Sequence, residues 1–435
     1  MPAPGSGPVT ADRPYAVPVK ARSDRHIIAY LAFISFLLAF VIDTVLPAFD
    51  EIRSEFELDS GSSDVSKIVT LYLIGVALGQ LIWGPISDRY GRLPTLLAGI
   101  SVYGSGALLA AVTPSFGWVL LARFIWGLGA ASTMVLYTAI ARDLYEGDQM
   151  ARVLQIVTAV FLIGPMVSPG LGEAILLTGF WRIIFASAAL LALIAIAWSR
   201  VIGETLDPRN QRPLNPRDTV AGFRAVFASK ATRGYMLAMT FTTGGFYVYL
   251  GSGQPIIDEI YGHSDIFAVI FAIGATVMGV GLVLSSRLTA RIGARKVARI
   301  AVVSMTATSG LGIILAVSAD GVPSLWLWGT ATIVSLTLMT IMTPTGMSLA
   351  LRPLEHMAGT AAAVIGFVVQ GGGAALAAVV NGQIDTTVTP MSVGGVVYGV
   401  LAIVFATSAI RADPEPLADK SGASKMLRND ELSEP

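Results

Sequence analysis

The stretch that decides the fold is Gly84–Arg92, GPISDRYGR, where a long apolar run ends in a tight charged turn. No charged residue occurs from Ile68 to Ile86, and Asp88, Arg89 and Arg92 then fall within five positions. An uncharged run of about 20 residues is long enough to cross a bilayer as a helix. The stretch therefore predicts a membrane-spanning helix that ends at this turn.

The composition of the whole chain agrees with a protein that lies in lipid. Hydrophobic residues make up 54% of the chain and charged residues 13%, with a mean hydropathy of +0.69, which is far outside the usage of soluble domains. The formal net charge is zero, and there is no cysteine for disulfides, thiolate metal sites or nucleophilic catalysis. We expect an integral membrane protein in contact with membrane lipid, with no nucleic-acid partner, no cofactor and no metal.

Windows of about 20 residues with few charges can be counted along the chain, because each can cross the bilayer core as a helix. There are twelve of them, so the predicted fold class is all-α. They lie near 27–49, 66–87, 94–112, 116–140, 151–177, 182–202, 234–256, 264–286, 296–318, 324–349, 357–381 and 391–410.

The distribution of basic residues predicts the orientation. Of 29 Lys and Arg residues, 25 fall at the two ends, in the loops after even-numbered helices and in the segment 203–233. Cytoplasmic loops carry such an excess, so both ends are expected on the cytoplasmic side of the cell membrane. The first 25 residues have no short apolar core with a cleavage site, and we expect a disordered arm there, not a signal peptide.

The chain also contains an internal repeat. PAFDEI (Pro47–Ile52) after the first helix matches PIIDEI (Pro255–Ile260) after the seventh at an offset of 208, and the charged turns align through Gly91 and Gly293 at an offset of 202. Two repeats of six helices related by an axis along the membrane normal are typical of transporters, whose substrate site lies between the halves. The predicted division is an N-terminal arm 1–25, a six-helix bundle 26–202, a cytoplasmic loop 203–233 with a short helix near its end, a second six-helix bundle 234–410 and a disordered tail 411–435.

Arg123 and Asp43 are charged residues inside the predicted helices. Arg123 on helix four and Asp43 on helix one both lie about 10 Å below the outer surface, at a rise of 1.5 Å per residue. Charges within the membrane are costly and mark functional sites. We expect an ion pair between them that carries the proton, since burial and a guanidinium act in opposite directions on a carboxylate. A static structural pair, or an Asp43 that reaches the outer headgroups, is the alternative.

The residues of the charged turn are expected to have distinct roles. Gly84 would allow a neighbouring helix to approach, Gly91 would supply a left-handed helix end, and Asp88 would face the positive N-terminal end of another helix. Arg89 and Arg92 would stay in the cytoplasm, and the alternative is that they only anchor the topology.

Two helices carry unusual numbers of helix-breaking residues. Helix five contains Gly164, Pro165, Pro169 and Gly172, and helix eleven has three glycines, 371–373, at the matching place. Proline bends a membrane helix and glycine lets a facing helix come close. We expect both helices to be compliant and to lie where the two halves meet, although the glycines of helix eleven are equally consistent with ordinary packing.

Aromatic side chains with a few polar tips suit a pocket for bulky, mostly apolar ligands. Each such residue can instead face lipid or the protein core. The candidate substrate-binding residues are Phe36, Phe40, Trp126, Tyr137, Phe246, Tyr247 and Gln254.

Several of these stretches resemble the major facilitator superfamily, and within it the twelve-helix drug:proton antiporters of the Bcr/CflA (bicyclomycin and chloramphenicol resistance) type. Gly75–Pro94 is similar to the family's helix two and signature loop. Ala122–Leu154 is similar to its helix four and following loop, with Arg123 as the buried arginine. Gly164–Gly172 is similar to its antiporter motif. Trp126 departs from the glutamine that is usual there.

The resemblance implies two six-helix bundles that export small, largely apolar molecules such as antibiotics, driven by protons through alternating access. It implies that Asp43 is protonated from outside, that Arg123 holds this carboxylate, and that the charged turn, through Asp88, Arg89 and Arg92, acts as a conformational latch on the cytoplasmic side. We also expect a monomer without a cofactor. One alternative is a proton symporter or facilitator that imports a small nutrient, which would be expected to show more polar groups in mid-membrane. A second, a membrane enzyme or receptor, would need a nucleophile, a metal constellation or a soluble domain. The chain shows none of these and no GxxxxGK[ST] phosphate loop, so we do not expect an enzyme.

Overall fold

The structure is a computed structural model that describes residues 24–58, 63–145, 147–199, 202–211 and 216–412. The predicted N-terminal arm lies outside the described residues apart from Asp24 and Arg25, and the predicted tail lies outside them apart from Arg411 and Ala412. Neither prediction is therefore addressed by the structure.

Long helices dominate the described part of the chain, and twelve of them correspond one by one to the twelve predicted windows. They are α1 (Asp24–Asp43), α2 (Lys67–Tyr90), α3 (Arg92–Val112), α4 (Phe116–Leu144), α5 (Gly147–Leu176), α6 (Arg182–Ser199), α7 (Lys230–Pro255), α8 (Phe267–Ile292), α9 (Ala294–Ser318), α10 (Leu325–Leu351), α11 (Ala358–Asn381) and α12 (Thr389–Ala412).

Ten helices in the described part of the chain are long and apolar enough to cross a membrane, which supports a multi-pass membrane protein. The two long helices outside this set are α5, which is described only in part, and α7. Helix α7 carries Thr240 and Thr242, whose hydroxyls donate to the carbonyl oxygens of Met236 and Met239. Most of α7 is buried among other helices, so it need not present an apolar surface to lipid.

The first helix is shorter than predicted. It ends at Asp43, and the chain continues through a single tight turn, Leu46–Ala48, into a short helix, Phe49–Glu55. Pro47 has no N–H to donate to the carbonyl of Asp43, and the carbonyl of Phe40 near the helix end accepts from both the backbone N–H and the hydroxyl of Thr44. Asp43 is therefore the last residue of α1 and not a mid-helix residue.

The helices pack as two bundles, α1–α6 and α7–α12, as predicted. Within the first bundle α2 lies tightly on α4, because a side-chain carbon at Gly127 would collide with the carbonyl of Tyr72. The bundles meet through α2 against α11 and α5 against α8. Across the first of these contacts, a side-chain carbon at Gly371 would lie 3.3 Å from Ala77 Cβ.

Successive long helices alternate in direction, so the two faces of the molecule can be named without reference to a membrane. The face that holds the first and last described residues, Asp24 and Ala412, and the turn at Gly91 is called the terminal side. The opposite face, which holds Pro47–Ile52 and Pro255–Ile260, is called the far side.

The segment between the bundles contains the predicted short helix, at Pro216–Ala228. A side-chain carbon at Gly222 would lie 2.6 Å from Thr360 Cγ2 on α11, and Val226 is fully buried. This helix therefore packs against the second bundle.

Candidate functional site

The buried arginine predicted on helix four is fully enclosed. Arg123 has no exposed surface, and it donates from Nε to the carbonyl oxygen of Ile68 (3.2 Å) and from Nη1 to that of Val41 (3.4 Å). These carbonyls belong to α2 and α1, so one guanidinium joins three helices of the first bundle.

Aromatic rings cover the rest of this guanidinium. The distances from Arg123 Cζ to the ring centroids are 4.7 Å for Tyr72, 4.9 Å for Trp126 and 5.8 Å for Phe185. A cation over an aromatic face gains about 0.5–2 kcal/mol, and more when desolvated. We call Tyr72, Trp126 and Phe185 the arginine enclosure. Its rings offset part of the free-energy cost of burying the charge.

Asp43 lies at the same level, as predicted, since Arg123 bonds a carbonyl two residues before it. The predicted ion pair is nevertheless wrong for this conformation. No salt bridge joins Asp43 to Arg123, although both residues are described, and the buried Asp43 Oδ1 has no hydrogen-bond partner. Two carbonyls and three ring faces hold the guanidinium, and its buried Nη2 has no hydrogen-bond partner either.

The surroundings of Asp43 come from both bundles. Its side chain interacts electrostatically with the phenols of Tyr72 on α2 and Tyr249 on α7. Tyr72 in turn interacts with Tyr247, whose hydroxyl donates to Gln370 Oε1 on α11 at 2.5 Å. We call Asp43, Tyr72, Tyr247, Tyr249 and Gln370 the central polar cluster, and it places a buried carboxylate between the two halves.

The predicted substrate residues separate into two groups. Tyr247 belongs to the central polar cluster, with the ring of Phe246 5.9 Å from its own, and the rings of Phe36 and Phe40 pair on α1 at 5.6 Å. Trp126 is only 1% exposed and packs edge-on against Tyr72, Tyr103 and Phe185 inside the first bundle. Its predicted place in a pocket between the halves is therefore wrong.

Two other candidates lie away from the central polar cluster. Tyr137 is half-buried on α4, and fourteen residues from Arg123 correspond to about 21 Å along a helix. Gln254 is 3% exposed at the far end of α7, with Oε1 buried and unpaired. A substrate contact by any of these residues stays a prediction.

The charged turn is built around a buried arginine. Arg92 is 4% exposed, and its Nε lies 2.7 Å from Asp143 Oδ2. Its Nη1 donates to Asp88 Oδ1 (2.6 Å) and to Ser87 Oγ (2.8 Å). The turn is thus tied to α4 and to the end of its own helix.

The helix N-terminus in this turn is occupied by an unpredicted residue. Glu204, which follows α6, accepts from the backbone N–H groups of Arg92 (2.8 Å) and Leu93 (3.2 Å) at the start of α3. A carboxylate is favourable there because the first N–H groups of a helix are unpaired and carry partial positive charge. Asp88 was expected in such a position, which is wrong, since it pairs with Arg92.

The two glycines of the turn differ from expectation as well. Gly91 has a positive φ of +101° with ψ 162°, so it is extended and not left-handed helical, and a side-chain carbon there would lie 2.9 Å from Glu204 Cδ. The nearest atom to a side-chain carbon at Gly84 would be Val135 Cγ1 at 4.0 Å, so no helix makes the expected close approach. Arg89 is exposed. Every described partner of Arg92 lies in the first bundle or the segment after it, so the latch remains a prediction.

The predicted antiporter motif lies in α5, which runs unbroken through it. Gly164 and Gly172 face α1, since side-chain carbons there would collide with Ala39 Cβ and with the carbonyl of Thr44. Pro169 is buried, and the side chain of Pro165 lies outside the described residues. These two glycines therefore pack within the first bundle and not where the halves meet.

Helix α11 repeats this relation in the second bundle. Side-chain carbons at Gly372 and Gly373 would lie 2.7 Å from Thr240 Cγ2 and 2.9 Å from Thr243 Cγ2, both on α7. Only Gly371 of the three faces the other half, through Ala77. The glycines thus set how closely α5 approaches α1 and α11 approaches α7, and the expected interface role holds for one of them.

The second bundle holds a small, partly open cavity between α7, α9, α10 and α12. Hydroxyl groups line it, with Ser309 and Ser335 oxygens 3.2 Å apart, and Trp328 closes it with a buried, unpaired indole N–H. Predicted substrate residues do not appear among its lining residues.

Sequence reasoning missed several residues of these sites. Tyr72, Tyr103 and Phe185 contact the arginine or its tryptophan from α2, α3 and α6, and no spacing along the chain connects them. Asp143 and Glu204 sit near helix ends, where charged residues are common. Their only sequence signal was a carboxylate close to a basic turn.

Residues 31–378 match the family model of the Major Facilitator Superfamily. A bicyclomycin resistance protein homolog of Haemophilus influenzae is 33% identical over 385 residues, covering 87% of this chain and 95% of the relative. A chloramphenicol resistance protein of Pseudomonas aeruginosa is 30% identical over 323 residues, covering 71% of this chain and 72% of the relative.

The solved structure of a D-xylose-proton symporter superposes with a TM-score of 0.73 at 17% identity, covering 90% of this chain and 98% of the other. At that identity the likeness concerns the fold, which is the two-bundle arrangement described above. Since the family model matches most of the twelve helices, this chain belongs to the Major Facilitator Superfamily of transporters.

Proposed function

We propose that this chain is a proton-driven exporter of small, largely apolar molecules such as antibiotics, working by alternating access. The observation that carries the proposal is Asp43, the one carboxylate among the described residues that is buried, which lies between the bundles with Oδ1 unpaired. The names of the relatives support the substrate class, since they are resistance proteins for bicyclomycin and chloramphenicol.

The proposed coupling follows from the cost of an unpaired charge in low dielectric. As the neutral acid, Asp43 fits the closed surroundings of Tyr72 and Tyr249. Once it loses the proton, the bare carboxylate is favourable only if water or a partner reaches it, so the bundles must separate on one side. The protonation state of one residue thereby selects which arrangement of the halves is lower in free energy.

Arg123 has a fixed part in this scheme. Two carbonyls and three rings hold its guanidinium, so it does not follow Asp43 during the cycle. We infer that it supplies a constant positive potential near the carboxylate and joins α1, α2 and α4 into one rigid unit.

We further propose that both chain ends are cytoplasmic, so the far side faces outside. On that side Arg53 of the first bundle pairs with Glu259 of the second at 2.5 Å, and the Glu173 side chain accepts from the Ala268 backbone N–H. This conformation is thus closed to the outside. One charge moving through 100 mV provides about 2.3 kcal/mol, which supports roughly fifty-fold accumulation of a neutral substrate.

The test compares wild type with Asp43→Asn in a drug-sensitive host over a panel of antibiotics. We expect wild type to protect against at least one compound and Asp43→Asn to abolish that protection at equal expression. Asp320→Asn, an exposed aspartate on the far side, is the matched control and should protect fully. Full protection by Asp43→Asn would refute the proposed proton carrier.

The importing alternative is separated by direction. Inside-out vesicles with an acidic lumen should accumulate the exported compound and lose it when the pH gradient is collapsed. Uptake by right-side-out vesicles under an acidic outer pH, with none in the inverted vesicles, would show a symporter in its place.

A further inference from the structure

The far side contains a second group of titratable residues that joins the two bundles. Arg53, on the short helix after α1, is 8% exposed. Its Nη1 lies 2.9 Å from Asp50 Oδ1 in the same helix and 2.5 Å from Glu259 Oε1, just after α7. One guanidinium therefore bridges the two halves through two carboxylates.

A third carboxyl group belongs to the same group. The side chains of Asp50 and Asp258 lie within hydrogen-bonding distance of each other. They occupy the same position in the repeated PAFDEI and PIIDEI stretches, at the offset of 208, so the internal symmetry brings them together between the bundles. The residue that matches Arg53 in the second half, at the same offset, is Tyr261. The repeat thus supplies two facing carboxyls but one cation.

Two carboxyls in hydrogen-bonding contact cannot both be ionised at low cost, and such a pair holds one proton between them. The proton lets one group donate to the other. Arg53 favours the ionised form of Asp50, but the same Nη1 also bonds Glu259, so one guanidinium cannot neutralise all three carboxyls. When the halves separate, Asp50, whose side chain is already 46% exposed, and Asp258 move apart, and each can ionise independently.

The other charged groups around the pair favour protonation as well. They are Glu51 on the short helix, which acts on Asp50, together with Glu259 after α7 and Asp385 after α11, which interact with each other; of these carboxyl groups, Asp50 and Glu259 pair with Arg53. Burial raises the pKa of Glu259, and Arg53 partly offsets this. The nearby ion pairs Lys67–Asp64 and Arg182–Glu55 are internally matched.

A polar cavity lies directly behind this bridge. Arg53, Glu259 and Asp385 line it together with Ser252 and Asn381. Two buried atoms in its wall, Arg53 Nε and Asn381 Oδ1, have no hydrogen-bond partner. Such unpaired polar atoms suit water, which would carry protons to and from the carboxyl pair.

We propose that Asp50 and Asp258 form a proton-binding site that latches the far side shut: they share one proton while Arg53 bridges the bundles, and loss of that proton releases the latch. The site binds the proton more tightly closed than open. By linkage, the closed population is therefore highest at low pH and falls as pH rises, with the open-to-closed ratio changing at most about tenfold per pH unit for one proton.

In the proposed orientation the far side faces outside, so external acidity would close the transporter after it has released its substrate. This consequence rests on the proposed function, whereas the latch itself does not. It can be measured without a substrate, a gradient or a known orientation.

The experiment uses the full chain, which contains no native cysteine. Ser54→Cys and Gln383→Cys place spin labels at exposed positions on the two bundles at the far side. Distance distributions in lipid nanodiscs are then measured from about pH 5 to about pH 8. We expect a short distance at low pH and a growing long-distance component as pH rises. An identical distribution at all pH values would overturn the proposal.

Variants test whether the pH dependence of the distance comes from Asp50 and Asp258. Asp50→Asn, and independently Asp258→Asn, imitates the protonated state and should leave the short distance at every pH, whereas Arg53→Gln should favour the long one throughout. Glu57→Gln, an exposed carboxylate on the same side, should keep the wild-type pH dependence. Having two asparagine variants keeps the test decisive if one fails to fold.

The labels are also placed in the Asp43→Asn background to separate the latch from the proposed proton carrier. We expect the pH dependence to persist there, even though export is lost. If it disappears in Asp43→Asn and persists in both Asp50→Asn and Asp258→Asn, the pH response belongs to Asp43 and the latch proposal is wrong.

Discussion

The two bundles share an architecture but differ in what they bury. Among the described residues, the first bundle with its far-side helix buries Asp43, Arg53, Arg92 and Arg123, whereas the polar residues buried in the second are neutral hydroxyls and amides. A buried charge must be held by partners at considerable cost in desolvation. Among the described residues, the buried charges therefore lie in the first bundle, and the second bundle packs against it with neutral side chains.

The repeated turns show the same division on a smaller scale. Gly91 and Gly293 have nearly the same backbone conformation, φ +101° and ψ 162° against φ +86° and ψ 150°. At the offset of 202, the positions of Asp88 and Arg92 are occupied by alanines in the second half. The two turns thus share a glycine with positive φ, whereas the pairs of Arg92 with Asp88 and Asp143 have no counterpart at the matching positions 290 and 294.

The largest effect on this difference between the bundles is expected from replacing Arg123. Arg123→Lys keeps the charge but cannot bond two carbonyls and lie flat against three rings at once. We expect a loss of about 3 kcal/mol in the free energy of unfolding and at least a tenfold loss of transport. Thermal unfolding in detergent and transport at matched protein amounts measure the two effects.

Arg182→Lys is the matched control, because Arg182 also lies over two rings, Phe56 and Trp181, but is partly exposed and paired with Glu55. It should change stability by well under 1 kcal/mol. Equal effects of the two substitutions would mean that enclosure of the charge contributes nothing.

A smaller effect is expected from the close packing of the first bundle. Gly127→Ala would push α4 away from the carbonyl of Tyr72 and disturb the arginine enclosure, at a cost of about 2 kcal/mol. Gly329→Ala on α10 is the control, since a side-chain carbon there would meet nothing within 4 Å. Folded yield after purification compares the two, and equal yields would show that α2 and α4 can separate freely.

The smallest effect tests the two turns against each other. Gly91→Ala and Gly293→Ala both force alanine into a glycine-favouring conformation, at about 1 kcal/mol or more each. Only at Gly91 would the added carbon also press on the Glu204 carboxylate. The free energy of unfolding of Gly91→Ala should therefore be lower than that of Gly293→Ala by about 1 kcal/mol. Paired thermal melts give the difference, and a larger loss at Gly293 would contradict the assigned role of Glu204.

The number, order and type of the helices could be predicted because hydrocarbon imposes a simple rule on composition and length. The departures come from local chemistry, as at Pro47, which ends α1 six residues before the predicted boundary. The level of Asp43 and Arg123 followed from the helix rise alone. Their expected ion pair did not form, because what a guanidinium binds depends on carbonyls and rings from helices far apart in the chain.

The sequence by itself determined that this chain spans a membrane in two repeats of six helices and that it buries charge in the first repeat. Only the tertiary structure decided the partners of those charges: the arginine enclosure, Glu204 at the start of α3, and Asp50 facing Asp258. The reason is physical. Membrane spans and internal repeats follow from the order of residues along the chain, whereas the partners of a buried charge depend on which helix faces meet across the bundle.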